Sequence, residues 1–196
     1  MNRRFPRRQR GNALVEAALG LPLLVGSALL IGDMYNINLA RAHLEQSASS
    51  IASTLSMQNR LDRDGLQALI DQAASPDILG DYELRISRVN LDRSMDWLPL
   101  ARGSMEGLCP DYAEGGNYTG ELPEERAQDE QQNDDEAQSD STLLVVQLCR
   151  NSDNLALSQG LLADKDMHAI AFARMTYNEV TLDQPLTEEL GLSENQ

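Results

Sequence analysis

Three groups of side chains in this sequence have the type and spacing for chemistry. They are Glu16 behind a basic leader, the pair Cys109 and Cys149, and a run of acids within residues 121–140. Glu16 is the most unusual. It stands near the start of an otherwise uncharged apolar run, residues 12–32, reading NALVEAALGLPLLVGSALLIG. A carboxylate at the centre of a membrane helix costs about 3 kcal/mol on insertion scales, so it rarely stays in one without a role. Just upstream lie Arg3, Arg4, Arg7, Arg8, Arg10 and then Gly11, with no acid among them. Three readings fit this arrangement. A signal peptide removed after the apolar core is the first. Against it stand the length of the run, the charge at Glu16 and the lack of a small-x-small site after Gly32. A permanent single-pass anchor, with Glu16 snorkelling to the interface, is the second. The third is a cut after Gly11, which makes Asn12 the first residue and Glu16 the fifth. The carboxylate could then neutralise the α-ammonium of a neighbouring subunit, and burying two opposite charges together offsets much of the cost of burying either alone.

The cysteines point to a disulfide if the domain is exported, because an even pair in an oxidising compartment is normally bridged. Closing a loop of about 40 residues stabilises by about 4 kcal/mol in the chain-entropy model. A redox or metal site lacks support: there is no CxxC, and His43 and His168 have no ligand-like spacing with either cysteine. The acids Glu124, Glu125, Asp129, Glu130, Asp134, Asp135 and Glu136 could be a calcium loop, but the EF-hand spacing is missing. Their Gln-rich surroundings favour a solvated, disordered insertion over residues 121–140. No phosphate loop, nucleophile elbow or HExxH is present, so an enzyme, a cofactor and a metal are not expected. Asp62 and Asp64 beside Gly65 look like a helix start rather than an acid/base pair.

The elements that must carry these groups follow from periodicity. Residues 12–32 would make a helix about 31 Å long, close to the thickness of a bilayer core. The leader arginines place its N-terminus in the cytoplasm and everything after Gly32 outside. The helix is expected to continue through residues 33–58, where Ile37, Ala40, Leu44, Ala48, Ile51 and Leu55 form one apolar stripe. A short second helix is expected from Arg63 or Gly65 to Ala74. Asp64 would cap it with Gln67 three residues on, Leu66, Leu69, Ile70 and Ala73 would be buried, and Ser75-Pro76 would end it. Tyr82, Leu84 and Ile86 alternate with Glu83, Arg85 and Ser87 as a half-buried strand, with a phase change at Val89 and Leu91 that suggests a bulge. Residues 142–149, TLLVVQLC, read as a central strand. Residues 169–182 read as a further strand-rich stretch containing Phe172, Tyr177 and Val180. Between the first strand and residues 142–149, residues 92–141 look irregular, with Trp97, Leu98 and Leu100 covering the core's edge. Residues 184–196 look like a loose tail with one turn at 187–190. The fold class is therefore α+β: a long N-terminal transmembrane and amphipathic helix packed on a small antiparallel sheet. The expected divisions are a leader (1–11), a span (12–32), a helical spine with the second helix (33–75), a sheet domain (76–183) and the tail (184–196).

Charge narrows the partners. The chain carries 16 basic and 31 acidic residues, and without the five leader arginines only 11 basic ones remain. Such a surface repels nucleic acid, which excludes DNA binding, and attracts basic surfaces over a range set by salt.

The stretch Arg10-Gly11-Asn12-Ala13-Leu14-Val15-Glu16, with the Leu- and Pro-containing run to Leu24, resembles the N-terminus of tight-adherence (Tad) pilus pseudopilins of the TadE/TadF type. The resemblance covers about residues 8–35; where the family commonly has an aromatic after the Glu, this chain has Ala17. It implies a pilin-like fold, cleavage between Gly11 and Asn12 by a prepilin peptidase, and Glu16 as the assembly carboxylate. It also implies a bacterial inner-membrane protein with a periplasmic domain. Its partners would be membrane lipid, other pilin or pseudopilin subunits and an inner-membrane assembly platform, and the outcome would be adhesion or biofilm formation. The alternative is an uncleaved, membrane-anchored periplasmic binding module of a secretion system.

Overall fold

A single helix, α1 (Gln9–Ser56), dominates the molecule. The computed structural model describes residues 9–123, 142–152, 166–177 and 180–192, with side chains from residue 14 onward. At about 1.5 Å per residue the 48 residues of α1 extend about 72 Å. Gly20, Pro22, Gly26 and Gly32 all lie within it. The apolar window of its N-terminal half has no residue buried against the domain, and it is long and apolar enough to cross a membrane. Beyond Gly32 the helix becomes the spine of the domain. Ala40, Leu44, Ala48, Ile51 and Leu55 are buried in the core, the stripe expected from their spacing, and Ile37 is half-buried.

After α1 come β1 (Arg60–Leu61), α2 (Arg63–Ala73), α3 (Pro76–Leu79), β2 (Tyr82–Val89) and β3 (Leu100–Gly103). A small hairpin, β4 (Ala113–Glu114) and β5 (Asn117–Tyr118), precedes β6 (Leu143–Arg150) and β7 (Met167–Arg174). The chain then forms β8 (Thr181–Leu182) and α4 (Gln184–Glu189). The main sheet has the order β3-β2-β6-β7 and is antiparallel throughout. Helix α1 packs on β6 and β7. A second, two-stranded sheet joins β1 to β8 in parallel. The architecture is thus α+β, a long helix on a small antiparallel sheet.

Several expectations are corrected. The N-cap of α2 is Asp62, which accepts from the Gly65 N–H at 2.7 Å; Asp64 lies in the first turn. Gln67 donates to Asp71 instead of closing a capping box. Ser75-Pro76 does end α2, but Pro76 opens the short α3, since proline suits a first helical position. Strand β2 is buried on both faces, not half-buried: Glu83 and Ser87 are as hidden as Leu84 and Ile86. It pairs with β6 in unbroken register from Tyr82↔Arg150 to Val89↔Leu143, so there is no bulge. Val89 keeps the alternation and faces the outer side of the sheet, where it packs with Tyr118 and Val145 in a second small core. Leu91 lies past the strand and is exposed.

The sheet's fourth strand, β3, comes from the stretch that looks irregular in sequence. It is four residues long with Leu100 its one wholly buried side chain, too little for a periodicity signal. Trp97 and Leu100 cover the core as expected, whereas Leu98 is exposed. Residues 169–182 do not form one strand: β7 ends at Arg174, and Thr181–Leu182 joins the second sheet. Phe172 and Tyr177 are exposed, and Val180 packs against the core. Residues 184–192 are not a loose tail. Asp183 caps α4 by accepting from Leu186 N–H, and Leu186 and Leu190 are buried in the main core. Most of the acidic insertion, from residue 124 to 140, lies outside the described residues, as does the end of the tail.

Candidate functional site

Two places bring together the residues singled out by sequence. The first is the apolar half of α1. Gly11 and Asn12 are the third and fourth residues of the helix, which therefore begins ahead of residue 12 and runs through the bond between them. Arg3, Arg4, Arg7 and Arg8 lie outside the described residues, and Arg10 is in the first turn of α1. Glu16 projects from the side of the helix, exposed like its neighbours Leu14, Val15 and Leu19. No other described part of the protein covers this surface.

The domain begins abruptly. Side chains from Leu14 to Ile31 are bare, whereas Asp33, the first residue past the apolar run, is wholly buried. No linker separates the apolar run from the domain, because α1 is continuous through both. Met34, Tyr35 and Leu39 are exposed just beyond the span. Tyrosine with its polar tip suits the lipid–water boundary. Further along, the exposed face is made of Ala42, Gln46, Ser49, Ser50, Ser53 and Thr54. The charges it carries are Arg41 and Glu45, one helical turn apart and paired at 3.1 Å. This face is neutral on a chain whose formal charge is −15.

The second place is the outer face of the sheet. Cys109 and Cys149 form a disulfide with their Cα atoms 5.3 Å apart. In the sheet register Cys149 lies between Glu83 on β2 and His168 on β7. Glu83 is the residue that sequence reasoning missed. Its carboxylate, 2% exposed, accepts from Leu108 N–H at 2.6 Å, Cys109 N–H at 2.8 Å and Arg85 Nε at 2.7 Å. Burial pushes its pKa up, but the bonds from Cys109 and Arg85, the Arg85 charge and the Leu108 N–H outweigh that and hold it below the ordinary glutamate value. Strand alternation puts Glu83 on the outer face of β2, but only the register with β6 sets it opposite Cys149, so no local sequence signal identifies it. Arg85 also reaches Asp111 at 3.3 Å, tying the loop a second time.

His168 stacks at a tilt near Tyr112, with ring centroids 6.4 Å apart. Burial lowers its pKa below the ordinary histidine value. Tyr118, deeper in the same outer layer, has its hydroxyl pushed up to about 12 by burial and by Tyr112, partly offset by Arg93. No group of three or more His, Cys, Asp or Glu side chains among the described residues is placed to hold a metal ion. His43 sits on α1, half-buried beside the stripe. No protein-family model, no curated protein and no solved structure matches this chain.

Proposed function

We propose that the chain is a minor pseudopilin of a Tad-type (type IVb) pilus, held in a bacterial inner membrane with its sheet domain in the periplasm. The observation that carries this reading is the form of α1. It is one unbroken helix with a bare apolar half bearing Glu16 and a second half whose outer face is small and neutral. Copies of a chain with a formal charge of −15 repel one another, and a face whose charges, Arg41 and Glu45, cancel adds nothing to that repulsion. Helices packing side by side there would bring Glu16 of one subunit near the start of another. Cleavage after Gly11 by a prepilin peptidase would supply the α-ammonium that Glu16 neutralises. The chain in this reading is a substrate and a building unit, not an enzyme. Its partners are the peptidase, other pilin or pseudopilin subunits, the assembly platform and lipid, and its product is an adhesive fibre that supports biofilm.

The test is Glu16→Gln. Removing one partner of a buried ion pair costs about 3–5 kcal/mol, enough to abolish incorporation into sheared surface fibres. Membrane insertion should remain, because the substitution makes the span less costly to insert. Unchanged incorporation would contradict the charge-pairing role.

The helix running without a break through Gly11 and Asn12 favours a second reading, an uncleaved anchor for a periplasmic binding module of a secretion system. A peptide bond inside a helix must unwind before a protease can take it, and a permanent anchor makes no such demand. In that case Glu16→Gln would change nothing but the ease of insertion.

A further inference from the structure

The loop bearing Cys109 is held on the sheet by contacts that do not involve sulfur. At its start the chain turns at Gly103, whose φ is +113°. A Cβ there would lie 2.3 Å from the Tyr82 carbonyl oxygen, so no other residue fits without movement. The next two amides, of Ser104 and Met105, both donate to that same carbonyl at 3.0 and 3.1 Å. Ser104 Oγ donates to Asp81, one residue before β2. Leu108 and Cys109 then donate to the Glu83 carboxylate, and Asp111 meets Arg85. The start of β2 and the residue before it thus bind the loop from residue 103 to residue 111. Further on, Tyr118 seals the loop with Val89 and Val145.

We infer that Glu83 places Cys109 against Cys149 before the bond between them forms, so that the disulfide locks a loop already docked on the sheet. Glu83 is the centre of this device because its partners are the Cys109 amide itself and the one before it, and because β2 sets it directly opposite Cys149. A buried carboxylate holding two N–H groups is a strong, geometrically specific anchor. It converts the meeting of two cysteines 40 residues apart from a chain-wide search into a local step. The oxidation itself needs a disulfide-bearing oxidant. The two thiols give up two protons and two electrons, one S–S bond forms in the protein, and the oxidant's S–S bond breaks to give two thiols. Glu83 takes no part in that exchange and is a positioning residue.

The test uses the full chain in detergent, equilibrated with reduced and oxidised glutathione, to obtain the effective concentration of one thiol for the other. Glu83→Gln should lower it roughly tenfold or more, as expected for losing hydrogen bonds to a charged group. Asp62→Ala, which removes the α2 cap far from the loop, should leave it unchanged. Equal losses in both variants would mean a general loosening and overturn the inference. Should Glu83→Gln not fold, the Cys109→Ser/Cys149→Ser double variant decides. Its amides at positions 108 and 109 should stay protected from hydrogen exchange, whereas free exchange there would show that the sulfur link docks the loop and that Glu83 does not.

Discussion

Glu83 and His168 flank the same cysteine but respond to acid in different ranges. The folded protein lowers the pKa of His168 through burial, so the unfolded chain binds a proton first. Stability therefore falls as pH drops below about 6.5, the ordinary histidine value. The pKa of Glu83 is also depressed, burial being outweighed by its hydrogen bonds and the Arg85 charge. Its contribution is complete above about 4.3, the ordinary glutamate value, and is lost as pH falls through the lower value it has when folded. Thermal unfolding followed against pH should show two declines. His168→Gln should remove the first, and Glu83→Gln should shrink the second, to which Asp92 and Glu189, also held below their ordinary values, contribute the rest; declines unaffected by either change would refute these assignments. Only part of this was legible in sequence. The cysteine pair could be read from count and compartment, and Glu16 from a charge in an apolar run. Glu83 could not, because a strand with Glu, Arg and Ser on one face looks solvent-facing. What covers that face, Cys109 from a loop and Tyr118 from the β4–β5 hairpin, comes from segments that no local pattern ties to it.

At the scale of elements, α1 was the most legible because its stripe repeats at helical spacing over about five turns. Strands β2 and β6 were legible for the same kind of reason, apolar residues recurring within strands of eight. The C-terminal helix was not. It offers Leu186, and Leu190 at its C-cap, among polar and acidic neighbours, a composition that reads as tail, yet both leucines enter the main core. The rest of its hold comes from Asp183, which caps α4 through Leu186 N–H and also accepts from Arg63 N–H at the start of α2. Arg102 on β3 adds a two-pronged contact with Glu189. Leu186→Ala should thus destabilise the domain by about 2–5 kcal/mol, as for other wholly buried leucines. Asp183→Ala should cost about 1–2 kcal/mol, the upper part of the range for a cap. Urea unfolding of the detergent-solubilised protein measures both. A loss under about 0.5 kcal/mol for Leu186→Ala, the size of an ordinary surface change, would mean that α4 is dispensable to the core.

The molecule as a whole is a rod with a domain built onto its far half. Its apolar half is bare, its other half is packed on one side and neutral on the other, and the remaining charge is strongly negative. Because Asp33 is already buried and α1 is continuous there, the domain starts where the apolar run ends, with no linker between them. That form suits a subunit that must be presented to neighbours in a fixed orientation. In the proposed role, this rod is made from a longer precursor by cleavage at Gly11. The most direct measurement is the mass of the N-terminal peptide of the membrane-extracted protein, from cells with and without the prepilin peptidase. The expected result is a chain starting at Asn12 only where the peptidase is present. A leader retained intact in both strains would contradict the pseudopilin reading and leave a permanently anchored module.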